Sequence, residues 1–153
     1  MSNENTTQNT ITYIQKLLAS NEIEKALHYI DRKGDRTPEW RNALGVCLMR
    51  LGETEKAVNI LRELVFQHYL SIPRGTPPLY QANYATALLM KRYNQMAIEI
   101  IKTLPPSDHP YIAQLHDAVA QWQKNLPLLR RFLSKLGLNP NTRIVLNFPP
   151  GQI

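Results

Sequence analysis

The chain has 153 residues, a formal net charge of +6 and a single cysteine, Cys47, which excludes an internal disulfide. This length suits one domain that buries its own core. No apolar run approaches the ~20 residues that span a bilayer, and the N-terminus lacks the basic and apolar regions of a secretory signal. We therefore expect a soluble, cytoplasmic protein. The Lys and Arg residues are scattered among Asp and Glu, which favours a role in solubility over a dedicated nucleic-acid surface.

The N-terminal third predicts a disordered segment followed by a helical hairpin. Residues 1–9 are polar and show no periodicity, so we expect them to be disordered. From Thr10, a suitable N-cap, apolar residues recur at three- and four-residue steps and predict a helix as far as Ser20. A second helix follows and ends near Gly34. This first hairpin covers about residues 10–34.

The central stretch predicts a second hairpin over about residues 37–70. Thr37 and Pro38 suit the N-cap and first position of a helix. Gly52 suits the position just past the end of that helix, because glycine adopts positive φ at little cost. Gly45 and Ala57 fall near the middle of the two helices, where small side chains let the two backbones come close.

The remaining chain predicts a third hairpin, a capping helix and an extended tail. A proline-rich loop precedes the third hairpin, which covers about residues 77–104 and places Ala97 at the position of Ala57. A capping helix, with Ser107 and Asp108 as its cap, is expected over about residues 108–136. Pro127 should kink it or divide it into two abutting helices near Asn125. Within residues 137–153, Ile144, Leu146 and Phe148 alternate with Val145 and Asn147, and Pro-Pro follows, which predicts an extended conformation.

The central hairpin resembles the tetratricopeptide repeat, a helix-turn-helix unit of about 34 residues with a W-x2-L-G-x2-Y signature. The residues that carry the resemblance are Leu44, Gly45, Leu48 in place of the family's tyrosine, Gly52, Ala57 and Leu61. The resemblance covers about residues 10–104 in three degenerate repeats. It implies an all-α fold, a right-handed superhelix of three hairpins whose first helices line a concave groove.

The resemblance also implies a binding surface. Carried onto this sequence, the side chains that would point into the groove are Ile11, Gln15, Leu18, Asn42, Val46, Met49, Arg50, Ala82, Thr86, Leu89 and Met90. These side chains mix apolar groups with amides, and two methionines can adapt to different partners. Val46, Met49 and Leu89 could equally be core residues. We expect a non-enzymatic adaptor or chaperone that holds an extended peptide or an amphipathic helix of another protein.

No catalytic or metal-binding constellation is visible. The four histidines lie far apart in the sequence and form no zinc-binding pair. Cys47 has no acidic or basic helper beside it, which makes it a poor nucleophile. We expect no enzyme activity, no metal and no cofactor.

Three placements of the tail remain open: its own groove, the groove of a second copy in a homodimer, or a strap over the last helix.

Two other functions also remain open. A basic face that includes Lys124, Arg130, Arg131, Lys135 and Arg143 could bind nucleic acid. Alternatively, the chain could be a structural subunit of a larger complex.

Overall fold

The structure is a computed structural model that describes residues 2–34, 37–67, 71–105, 109–138 and 140–153. Within these ranges the chain forms eight helices and no strand. The helices are α1 (Ser2–Ala19), α2 (Ile23–Lys33), α3 (Pro38–Arg50), α4 (Thr54–Phe66), α5 (Pro78–Met90), α6 (Asn94–Thr103), α7 (Pro110–Lys124) and α8 (Leu128–Lys135). The all-α prediction is therefore confirmed for the described residues.

The helices pack in an alternating order. Each helix contacts the next one in the chain, and the odd-numbered helices α1, α3, α5 and α7 also contact one another in series. The odd-numbered helices thus form one continuous row, which we call the inner row. The hydrophobic core lies between this row and α2, α4 and α6, and it includes the fully buried Ile14, Ala43, Leu61 and Ile98.

Small residues bring paired helices together, as the sequence predicts. A Cβ atom added to Gly45 would lie only 2.6 Å from Cγ of Leu61, so the α4 side chain occupies the space that a larger residue on α3 would need. Ala57 and Ala97 are fully buried at the corresponding positions of α4 and α6. The neighbouring Met96 is 49% exposed, so it is Ala97 that faces the core from this turn of α6.

The N-terminal end of the helical region differs from the prediction, whereas the C-terminal end takes one of the two forms predicted for it. Helix α1 begins at Ser2, so disorder over residues 1–9 is not observed from Ser2 onward; the segment contains no Pro or Gly to interrupt a helix. The segment expected as a capping helix forms two helices, α7 and α8, which is one of the two predicted outcomes; Pro127 adopts an extended ψ of 147° between them. The predicted caps Ser107 and Asp108 lie outside the described residues. His109 takes the N-cap position, and its side chain accepts a hydrogen bond from the backbone N–H of Tyr111.

Candidate functional site

The C-terminal tail, residues 140–153, begins as a strap across α6 and α7. Asn94 at the start of α6 donates hydrogen bonds from Nδ2 to the carbonyl oxygens of Pro140, at 2.6 Å, and Thr142, at 2.7 Å. Trp122 on α7 donates from Nε1 to the Thr142 hydroxyl at 3.0 Å. Ile144 is then buried with the hydrophobic core. These contacts fix the point where the tail turns toward the inner row.

The middle of the tail packs against α5 and α7. The ring of Phe148 meets the ring of Tyr111 edge to face, with centroids 5.6 Å apart. A cleft of about 410 Å³ lies between this part of the tail and α5, and Leu89 and Met90 are among its lining residues. The tail therefore does not fill this part of the surface completely.

Tyr111 connects the tail to the inner row through a chain of hydrogen bonds. Its hydroxyl accepts from the backbone N–H of Gly151 at 2.8 Å. The Thr86 hydroxyl donates to the carbonyl of Ala82, so at the 2.6 Å contact between the two hydroxyls Tyr111 is the donor. Burial raises the pKa of Tyr111 to about 12, against the lowering effect of its hydrogen bonds to Thr86 and Gly151. The phenol is therefore protonated at neutral pH, as this arrangement requires.

Arg50, at the end of α3, donates hydrogen bonds to three backbone carbonyl oxygens. Its Nε donates to Pro150 at 3.2 Å, Nη2 to Gly151 at 3.0 Å, and Nη1 to Leu18 of α1 at 3.1 Å. Burial lowers the pKa of Arg50, but a guanidinium remains charged at neutral pH. The planar fork of donors thus ties the tail to both α3 and α1.

Three amide side chains bind the last residues. Asn83 pairs with the backbone of Gln152 in both directions: Nδ2 donates to its carbonyl at 2.7 Å, and Oδ1 accepts from its N–H at 3.0 Å. Asn42 also donates to the Gln152 carbonyl, at 3.2 Å, and accepts from Asn83 at 2.7 Å. Gln15 donates to the oxygen of Ile153 at 2.6 Å. We call the surface formed by these residues, Arg50, Thr86 and Tyr111 the tail groove.

Most of the residues predicted from the resemblance lie around this groove. Gln15, Asn42 and Arg50 bind the tail backbone, and Val46 and Met49 lie against Gly151. Leu89 and Met90 line the adjoining cleft. The side chains of Leu18 and Ala82 are buried in the core instead of facing the groove. Leu18 offers only its backbone carbonyl, to Arg50, and the carbonyl of Ala82 accepts a hydrogen bond from Thr86 of the same helix. Ile11 is half-buried against the core.

Sequence reasoning missed four polar residues of the site: Asn83, Asn94, Tyr111 and Trp122. Asn83 carried a usable signal, because it stands three positions before Thr86 in an apolar helix and a buried amide needs partners. Tyr111 was missed because the groove was limited to three hairpins. The contact between α5 and α7 extends the inner row to a fourth helix.

Of the three placements considered for the tail, the structure shows the tail in the groove of its own chain. The strap alternative describes only its first part, near Pro140 and Thr142. Residues 150–153 lie along α1, α3 and α5 and are held there through their backbone atoms.

The described residues contain no group of three or more His, Cys, Asp and Glu side chains placed to hold a metal ion. Cys47 is buried, which raises its pKa to about 12 and suppresses its thiolate form. None of the described helices has the length and apolar character needed to cross a membrane. No protein-family model, curated protein or solved structure matches this chain.

Proposed function

We propose that this chain is a tetratricopeptide-like, right-handed helical repeat domain that acts without catalysis and binds an extended segment of a partner protein in the tail groove. Its own tail occupies the groove as an intramolecular ligand. The partner segment takes the place of the tail in the groove. The protein thus works as an adaptor or chaperone whose binding site becomes available when the tail leaves it.

One observation carries this proposal: the groove binds the tail through backbone atoms. Arg50, Asn42, Asn83 and Gln15 donate hydrogen bonds to backbone oxygens of residues 150–153, and Asn83 also accepts one from a backbone N–H. Every polypeptide carries these groups, so an extended segment of another protein can make the same bonds. The flexible side chains of Met49 and Met90 beside the groove can adjust to different residues.

The covalently attached tail is a strong competitor, because a tethered ligand acts at an effective concentration in the millimolar range. A partner therefore binds with its intrinsic affinity multiplied by the fraction of chains whose groove is free. A substitution that weakens the binding of the tail without changing the groove should therefore raise the apparent affinity for an added peptide.

The test uses the full chain and a fluorescent peptide of residues 143–153. The peptide is titrated into the wild-type chain and into a chain carrying Phe148→Ala, followed by fluorescence anisotropy. Phe148 is half-buried in the tail and lies outside the helices, so its loss should leave the helices folded. We expect saturable binding that is several-fold tighter to the Phe148→Ala chain, because the altered tail competes less well.

A scrambled peptide serves as the control, and thermal unfolding checks that both chains are folded. Equal affinity for the scrambled and native peptides would show that the backbone bonds alone govern binding. A Phe148→Ala chain that binds the native peptide no more tightly than the wild-type chain does, or no saturable binding to either chain at millimolar peptide, would rule the function out. If Phe148→Ala disturbs the fold, Gly151→Ala replaces it, because that residue also lies in the tail alone.

A second candidate, a subunit of a larger complex, is favoured by the orientation of α8. Leu128, Leu129, Phe132 and Leu136 are 61–85% exposed, whereas Ser134 is only 3% exposed. Two residues along a helix correspond to about 200°, so Ser134 lies opposite Phe132 and Leu136. The helix thus turns its apolar face outward, as expected of a docking surface.

The charges around α8 suggest the chemistry of such a partner. The sequence after Asp117 contains five cations and no Asp or Glu. A protein surface with an apolar centre and an acidic edge would match it. Crosslinking mass spectrometry in native extract should show crosslinks between α8 and a partner protein. These crosslinks should be lost on Phe132→Ser and retained at moderate salt. Binding to DNA or RNA that falls steeply between 50 and 200 mM salt and survives Phe132→Ser would instead favour the nucleic-acid alternative.

A further inference from the structure

Gly151 is the position where the tail groove leaves no room for a side chain. The residue is buried and has a φ of +80°. A Cβ atom added there would fall 2.8 Å from Cγ2 and 3.0 Å from Cγ1 of Val46, and 2.7 Å from Cε of Met49. Met49 can move its terminal methyl group, but Val46 is β-branched and held in one rotamer on α3. Both the backbone conformation and the space therefore require glycine.

The hydrogen bonds on either side prevent Gly151 from moving away. Its N–H donates to Tyr111 of α7, and its carbonyl accepts from Arg50 of α3. The next residue, Gln152, is bound at both backbone groups by Asn83 of α5. A shift that relieved the contact with Val46 would break bonds to three different helices.

The residues before Gly151 prepare the segment for binding. Pro149 and Pro150 restrict φ and favour an extended backbone, so little conformational entropy is lost on docking. Phe148 places its ring against Tyr111. The tail thus presents an aromatic residue, two prolines and a glycine in a fixed order.

We infer that the tail groove selects extended segments that carry a glycine at the position of Gly151, with proline before it and an aromatic residue three positions earlier. This inference rests on the proposed function and specifies the ligand of that site. Partner proteins are recognised by a short aromatic-Pro-Pro-Gly segment, of which the tail is the internal copy. Affinity comes from the backbone bonds, and selectivity comes from the exclusion of a side chain by Val46.

The experiment compares three peptides of residues 143–153 on the same full-length Phe148→Ala chain: the native sequence, Gly151→Ala and Gln152→Ala. Gln152 is the matched control, because its side chain is exposed and only its backbone binds the groove. We expect Gly151→Ala to weaken binding by at least about tenfold. Gln152→Ala should change the affinity by less than about twofold.

A second chain tests Val46 itself. With Val46→Ala added to Phe148→Ala, the space beside Gly151 grows, so the difference between the native and Gly151→Ala peptides should shrink. Equal binding of these two peptides to the Phe148→Ala chain would overturn the inference and leave the proposed function standing. Failure of the native peptide to bind at all would instead overturn the proposed function.

Discussion

The hydroxyl of Tyr111 accepts a hydrogen bond from the backbone N–H of Gly151, 40 positions further along the chain, at 2.8 Å. Because the same hydroxyl contacts Thr86 at 2.6 Å, one phenol joins the tail to α5 and α7. This relationship makes the tail part of the folded domain.

Replacement of Tyr111 by Phe should loosen the tail while leaving the ring in place. The change removes the acceptor for a buried N–H and the donor to Thr86, and an unsatisfied buried group costs about 1–3 kcal/mol. We expect a loss of that size in the free energy of unfolding by urea, and faster hydrogen exchange at Gly151. Tyr93→Phe is the matched control, because Tyr93 is 51% exposed. Equal effects of the two substitutions would contradict the role given to Tyr111.

The free energy of unfolding should fall at alkaline pH, in part because the phenol of Tyr111 ionises. Burial raises the pKa of Tyr111 from 10.0 to about 12, so the folded chain holds this proton more tightly than the unfolded chain. This stabilisation is fully present below about pH 10 and is lost as the pH rises through about 12. Cys47 and Tyr80, whose pKa values burial also raises to about 12, add to the fall. Urea unfolding between pH 8 and 11 should show a smaller decline for Tyr111→Phe than for wild type.

Asn83 should tolerate neither Ala nor Asp. Its amide donates to the carbonyl of Gln152 and accepts from its N–H. Ala removes both bonds, whereas Asp keeps the acceptor but places a carboxylate beside the Gln152 carbonyl and Oδ1 of Asn42. We expect each change to cost about 1–3 kcal/mol of unfolding free energy, with Asp the worse.

The control for this series is Gln152→Ala, which keeps the backbone groups that Asn83 binds and should change stability by no more than about 0.5 kcal/mol. If Asn83→Asp were as stable as the wild type, the two-way pairing with Gln152 would be refuted.

Gly45 and Leu61 should be energetically coupled. A methyl group at Gly45 would lie 2.6 Å from Cγ of Leu61. Overpacking of this kind costs about 1–3 kcal/mol and should outweigh the gain of about 1 kcal/mol in helix propensity. Gly45→Ala should therefore destabilise the wild type but stabilise a Leu61→Ala background, where the space is free. A double-mutant cycle by urea unfolding measures this reversal, and the same sign in both backgrounds would exclude the steric explanation.

The sequence by itself determined the helical part of this protein. Periodic apolar residues and the breaks at Gly34, Gly52 and Pro127 depend on neighbours within a few positions, so α2 to α7 could be placed by pattern alone. The small residues Gly45, Ala57 and Ala97 predicted where helices pair. The resemblance to the tetratricopeptide repeat, carried onto this sequence, led to Gln15, Asn42 and Arg50.

Only the tertiary structure decided where the tail lies and what holds it. The bond from Gln15 to Ile153 joins residues 138 positions apart, and the bonds from Asn83 to Gln152 join residues 69 positions apart. No local pattern encodes such pairs, because they depend on how the inner row is stacked. The sequence predicted that residues 140–153 are extended, but it did not predict which residues bind them. Backbone groups carry most of the binding, and every sequence contains the same backbone groups.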